Sequence, residues 1–137
     1  MSTAPQRYNY GYGLIQFPDI VVKRLHIFRM KLFLIELLSY LNENIEAWGS
    51  IIKDSISYSI NLLRVKKKFN ATLNEIALAA FWYITKKRGI NRFNLIKLIT
   101  ISRKKMGKRI LYKRILKLLS YVRNLEDDFS PYAEISY

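Results

Sequence analysis

Arg103, Lys104, Lys105, Lys108 and Arg109 place five positive charges within seven residues, and Lys113, Arg114 and Lys117 continue the run at helical spacing. Upstream, Lys86, Lys87, Arg88 and Arg92 make a second cationic group. Residues 76–125 hold 14 Lys or Arg and no Asp or Glu, while the remainder of the chain holds the other ten bases and all ten acids. The net charge of +14 therefore arises in one fifty-residue block. The chemistry open to such a block is the binding of a polyanion, with nucleic acid the first candidate and an anionic membrane surface the second. A merely solvated, lysine-rich surface is the bland alternative.

Other chemistries lack their residues. With no cysteine, the chain forms no disulfide, no thiolate metal site and no cysteine nucleophile. A single histidine, His26, leaves no cluster for metal or acid–base work, and it reads as a packed or surface residue. The glycines at 11 and 13 belong to neither GxGxxG nor GxxxxGK[ST], so no phosphate loop is recognised. The basic block offers no carboxylate pair as general base, and the expectation is a protein without enzymatic activity, cofactor or metal. No run reaches the roughly 18 apolar residues of a membrane span, because Arg29, Lys31 and Glu36 interrupt the most hydrophobic N-terminal part. The first 22 residues carry polar side chains and three tyrosines where a secretory leader has an apolar run, so a cytoplasmic location is expected.

The elements that must position the cations are organised around TLNEIALAAFWYITKKRG, Thr72 to Gly89. Ile76 to Ile84 is nine consecutive apolar or aromatic residues, long enough for a buried helix and too short for a bilayer. Thr72 with Glu75 three residues on is a capping box, and Gly89 after Lys86, Lys87 and Arg88 is a stop signal. Before it, Asp19 is read as the cap of a helix over 21–41 whose inward face is Val21, Leu25, Phe28, Leu32 and Ile35, extended by Leu34, Leu38 and Leu41. A turn of helix through Ile45 to Trp48 leads to a second helix, from Ser50 to Val65, with Ile52, Ile56, Ile60 and Leu63 in line. After Gly89 the spacing predicts a short helix over 92–99 with Phe93, Ile96 and Ile99 inward. A turn at Thr100, Ile101 and Ser102 follows, Ser102 acting as N-cap, and then a long helix over 103–122 with Leu111, Ile115, Leu118, Leu119 and Val122 on one face. One domain is expected over 21–122, between an irregular or extended arm (1–20) and an acidic tail (123–137). In the arm, Tyr8, Tyr10 and Tyr12 either stack on bases or lie over the domain as a strap.

A short helix, a three-residue turn and a longer helix with basic opening turns is helix-turn-helix grammar. On that reading Arg103, Lys104, Lys105, Lys108 and Arg109 enter or flank a DNA groove, with Lys113, Arg114 and Lys117 reaching the backbone. Gly107 would sit inside the helix at a cost of about 1 kcal/mol, where something approaches closely.

Five helices around an alanine-rich third helix resemble the cyclin-like repeat of transcription factor IIB and its archaeal counterpart. The stretch EIALAAFWYITKKRGI is similar to that repeat's third helix, with its AA..Y pattern and basic end. NRFNLIKLITISRKKMGKRI resembles its fourth and fifth helices, and YVRNL followed by SPYAEI resembles the link into a second repeat. The resemblance covers roughly 100 residues and implies an all-α, five-helix cyclin-like bundle around a central helix. It further implies DNA contacts from the helix over 103–117, and the TATA-binding protein or RNA polymerase as partners. The chain departs from the family in having no cysteines for a zinc ribbon and no room for a complete second repeat, so a regulator, a competitor or a truncated paralogue is expected rather than a full initiation factor. Double-stranded DNA is the expected partner on either of two accounts: a transcription protein, or a basic helical protein that self-assembles on DNA as in a nucleoid or the virion of a filamentous archaeal virus. A third account is an inhibitor that binds RNA polymerase.

Overall fold

A computed structural model describes residues 7–9, 14–16 and 19–129, with side chains from 20 to 125. Two three-residue strands, β1 (Arg7–Asn9) and β2 (Leu14–Gln16), pair antiparallel with Arg7 opposite Gln16. The body is all-α: α1 (Asp19–Tyr40), α2 (Gly49–Leu62), α3 (Leu73–Lys87), α4 (Leu95–Lys104) and α5 (Tyr112–Phe129). A 3-10 turn over Ile45–Trp48 leads into α2, in agreement with the sequence reading. The Tyr8, Tyr10 and Tyr12 side chains, for which contacts are anticipated above, and the last eight residues lie outside the described residues.

α3 forms because both of its ends are locally marked and its middle is apolar. The hydroxyl of Thr72 accepts from Glu75 N–H at 3.1 Å while the Glu75 carboxylate accepts from Thr72 N–H at 2.8 Å, completing the capping box. At the other end Gly89 adopts φ +74°, which lets Ile90 N–H reach Thr85 O at 2.8 Å and Gly89 N–H reach Lys86 O at 3.0 Å. This is a Schellman closure, and it depends on a residue free to take positive φ. Every residue from Glu75 to Thr85 is buried, and α1, α2 and α5 all pack against the helix. α2 lies along it over the longest contact. Beyond the expected Ile52 and Ile56, α2 buries Ser55 and Ser59, each hydroxyl donating at 2.7 Å to a carbonyl one turn back. These buried hydroxyls are thus satisfied within their own helix. Ile60 and Leu63, expected inward, are only partly buried.

α1 buries Leu34 and Leu38 as expected, with Ile35 and Leu41 half-buried, but turns the rest of the face its spacing suggests away from the core. Met30, Phe33, Leu34, Leu37 and Leu38 are buried, whereas Val21, Leu25, Phe28 and Leu32 are exposed, Phe28 by 58%. The helix carries two apolar stripes, so periodicity alone does not choose between them. Packing against α2 and α3 does: Leu32 in mid-helix is as exposed as Leu25 near the start, while Met30 and Phe33 on either side of Leu32 are buried. The helix also takes in Asp19, expected as its cap.

The predicted turn at Thr100, Ile101 and Ser102 lies inside α4. Leu95, Leu98, Ile99 and Ser102 form its buried face, and Ser102 Oγ donates to Leu98 O at 2.8 Å instead of capping a helix. Ile96, expected inward, is 61% exposed. Asn94 is the N-cap, accepting from Ile96 and Lys97 N–H. The real connection is residues 105–111, in which Met106 and Ile110 plug the core. Gly107 is therefore a turn residue rather than a helical one. At φ +66° it directs Lys108 N–H back onto Ser102 O at 2.9 Å, and no atom lies within 4 Å of a Cβ added there. Gly107→Ala should lose only the backbone preference, about 1 kcal/mol in urea denaturation, and a much larger loss would mean that the link repacks. α5 buries Ile115, Leu118, Leu119 and Val122 as expected, and it runs on to Phe129, seven residues into the stretch read as tail, with Leu125 continuing the apolar period.

Candidate nucleic-acid interface

The basic link between α4 and α5 is held by one carboxylate. Glu75, fully buried, spends Oε1 on Thr72 N–H and Oε2 on Leu111 N–H at 2.7 Å. Leu111 is the residue whose carbonyl receives the first N–H groups of α5, from Arg114 and Ile115. Arg114 Nη1 stands 3.6 Å from Oε1. A single side chain thus caps α3, anchors the start of α5 and takes up one cation; Thr72 Oγ1 adds a 3.3 Å bond to Arg109 O. The capping half of this is legible from Thr72-x-x-Glu75. The half that fixes the link joins residues far apart in sequence and leaves no local signal.

The twelve cations singled out in the sequence divide into two sets. Arg88 pairs with Asp54 and donates to Ser50 Oγ at 3.2 Å. Arg92 donates to Glu43 at 2.7 Å, and Glu43 also accepts from the Trp48 indole at 2.9 Å. The Arg92 guanidinium covers the Trp48 ring at 5.1 Å. With Arg114 on Glu75, three arginines thus tie helices or connections together. Lys86 lies over Trp82 at 4.2 Å and Lys87 over Tyr83 at 5.5 Å. Lys86 and Arg92 border a cleft of about 540 Å³ with exposed Ile96, Tyr112 and Leu116 on its wall.

Arg103, Lys104, Lys105, Lys108, Arg109, Lys113 and Lys117 form no ion pair among the described residues. Arg103 and Lys104 occupy the last turn of α4 and Lys105 is its C-cap, where positive charge offsets the helix dipole. Lys108 and Arg109 stand on the link, and Lys113 and Lys117 are exposed on α5. The first five therefore do not line the opening turns of a recognition helix. They surround the loop that delivers α5, whose own first turn starts at Tyr112. The Lys86–Arg92 group belongs to the other end of α3, since Thr72 touches Arg109 at its start and Gly89 closes its finish.

Three further bases sit near this surface, and the sequence gives no sign that they form a group. His26 and Arg29 on α1 and Lys66 after α2 share a cleft with Arg109 and Arg114. Burial first, then the charges of Lys66 and Arg29, hold the His26 imidazole below its ordinary value of 6.5. Lys66 is visible as part of the Lys66–Lys68 run, which reads equally well as a charged helix end.

Among the described residues no group of three or more His, Cys, Asp or Glu is placed to hold a metal, and no helix is long and apolar enough to cross a membrane. Comparison with protein-family models, with curated proteins and with solved structures returns no match to this chain.

Proposed function

We propose that the protein is a non-enzymatic, duplex-DNA-binding transcription protein whose five helices make a single cyclin-like repeat. The observation that carries this reading is the set of seven cations on and beside the α4–α5 link that have no carboxylate partner among the described residues. An evolved surface with so many unneutralised charges in one place is suited to a polyphosphate backbone. In this reading Arg103, Lys104, Lys105, Lys108 and Arg109 grip phosphates on the two sides of a groove, and the first turn of α5, with Tyr112 and Lys113, faces the groove itself. The central position of α3 and the basic α4–α5 pair are the features it shares with the cyclin-like arrangement, for which the TATA-binding protein and RNA polymerase are the partners to try.

A gel shift over a salt series, with a promoter fragment competed against random duplex, tests the proposal. With about five phosphate contacts, affinity should fall about 500-fold between about 50 and about 200 mM salt. No binding, or binding indifferent to salt, would defeat it.

One observation favours a second reading, in which the protein coats DNA. Val21, Leu25, Phe28 and Leu32 make an exposed apolar row on α1 at the four–three–four spacing of a helix–helix seam. If copies meet there, promoter and random DNA bind alike and loading is cooperative. Filaments of uniform width by electron microscopy would then replace discrete occupancy.

A further inference from the structure

The cleft that holds His26 adjoins the basic link at Arg109 and is walled by α1, the connection between α2 and α3, the start of α3 and the start of α5, with a volume of about 520 Å³. Arg29, Lys66, Arg109 and Arg114 bring four fixed positive charges to it from segments remote in sequence, and among the described residues no Asp or Glu lines it. The Glu75 carboxylate behind its wall already has both oxygens engaged by backbone N–H groups and stands 3.6 Å from only one of the four cations, Arg114. The remaining three have no ion-pair partner among the described residues.

The backbone adds to the same end. Leu73 and Asn74, which line the cleft, are the first two residues of α3, and their N–H groups have no acceptor within the helix. Concentrating charge of one sign in a partly enclosed space is unfavourable until a counter-charge arrives, and after burial, the larger cause, Lys66 and Arg29 help to hold the His26 imidazole below its ordinary value. Guanidinium groups and helix-terminal N–H groups are the donors that match tetrahedral oxyanions.

The geometry points to this cleft as a binding site for a phosphate group carried by a larger molecule, held by Arg29, Lys66 and Arg109 with the start of α3. The volume exceeds that of phosphate alone, so the carrier is either a free nucleotide or a strand whose backbone phosphate is inserted. Arg109 is shared with the proposed DNA surface, whereas Arg29, Lys66 and His26 are not, so the two readings can fail separately.

The single histidine makes the test direct. The His26 imidazole proton resonance of the full chain is followed by NMR while ATP, inorganic phosphate or a short duplex is added, against chloride at matched ionic strength. Phosphate in the cleft should shift that resonance saturably and raise the pH at which His26 titrates, since an anion among Arg29, Lys66, Arg109, Arg114 and the imidazole favours the protonated form. Arg29→Gln and Lys66→Gln should each weaken the effect about tenfold or more with the helical signal unchanged. Saturation by ATP identifies a nucleotide site, and saturation by duplex alone identifies a backbone phosphate. If none of the three moves His26 beyond the chloride control, or if both variants bind as the parent does, the assignment is wrong.

Discussion

Glu75→Ala should destabilise the protein by about 4 kcal/mol, the largest loss expected from any single polar substitution in the chain. The carboxylate is completely buried and serves three partners at once. Its removal strands Thr72 N–H and Leu111 N–H, each at a cost of about 1–3 kcal/mol, and leaves the mostly buried Arg114 guanidinium facing a hole. These costs do not add fully, because α5 can slide toward water and rehydrate its first turn. Against a total stability of about 5–15 kcal/mol for a domain of this size, a loss of about 4 would lower the melting temperature by roughly 10 °C or more. Thr72→Ala removes a cap and the long, exposed bond to Arg109 O and should cost about 1 kcal/mol. Glu75→Gln falls between, since one amide end must present donors to a backbone donor. Urea denaturation followed by far-UV circular dichroism ranks the three. A Glu75→Ala loss no larger than that of Thr72→Ala would show that the long-range bond to Leu111 contributes nothing.

The same residue shows what is legible in the sequence and what is hidden there. α3 can be read in full because every signal it uses is local: a hydroxyl and a carboxylate three residues apart at one end, a glycine at the other, and nine apolar residues between. α1 can be recognised as a helix but not oriented, because both of its stripes satisfy the helical period. Packing against α2 and α3 makes the choice between them. Ser102 is ambiguous for a chemical reason, in that its hydroxyl can accept from a helix start or donate to the carbonyl one turn back, and burial selects the second. Gly107 then follows the wrong way, as a weak point within a helix instead of a left-handed stop after one.

The cationic surface is legible as composition and not as geometry. The absence of acids over 76–125 is a plain property of the chain, yet it does not reveal that Arg88, Arg92 and Arg114 are matched by Asp54, Glu43 and Glu75. All three acids precede the block, and only folding brings them to it. The structure therefore narrows the candidate contacts to the cations left over, and so changes which substitutions are informative.

Replacing Arg103, Lys104, Lys105 and Lys108 together with Ala should cut duplex affinity about a thousandfold near 0.1 M salt, because every phosphate no longer neutralised keeps about 0.9 counterion that binding would have released. The salt slope itself should flatten by about 3 to 4, which ties the weaker binding to the phosphates rather than to a damaged fold. Damage should be slight: the four side chains project from the end of α4 and its link without ion-pair partners among the described residues, and removing their charge at the helix terminus costs a few tenths of a kcal/mol each. Arg88→Ala with Arg92→Ala is the informative control, since it removes two charges of the same sign that are already matched by Asp54 and Glu43. That pair should lower stability more and the salt slope far less. Should the two sets flatten the slope equally per charge removed, the protein would be responding to net charge alone, and the link would have no special place in binding. An unchanged affinity in the fourfold variant would remove these four cations from the interface and leave the cleft at His26, with Arg109, as the better place to look for a phosphate.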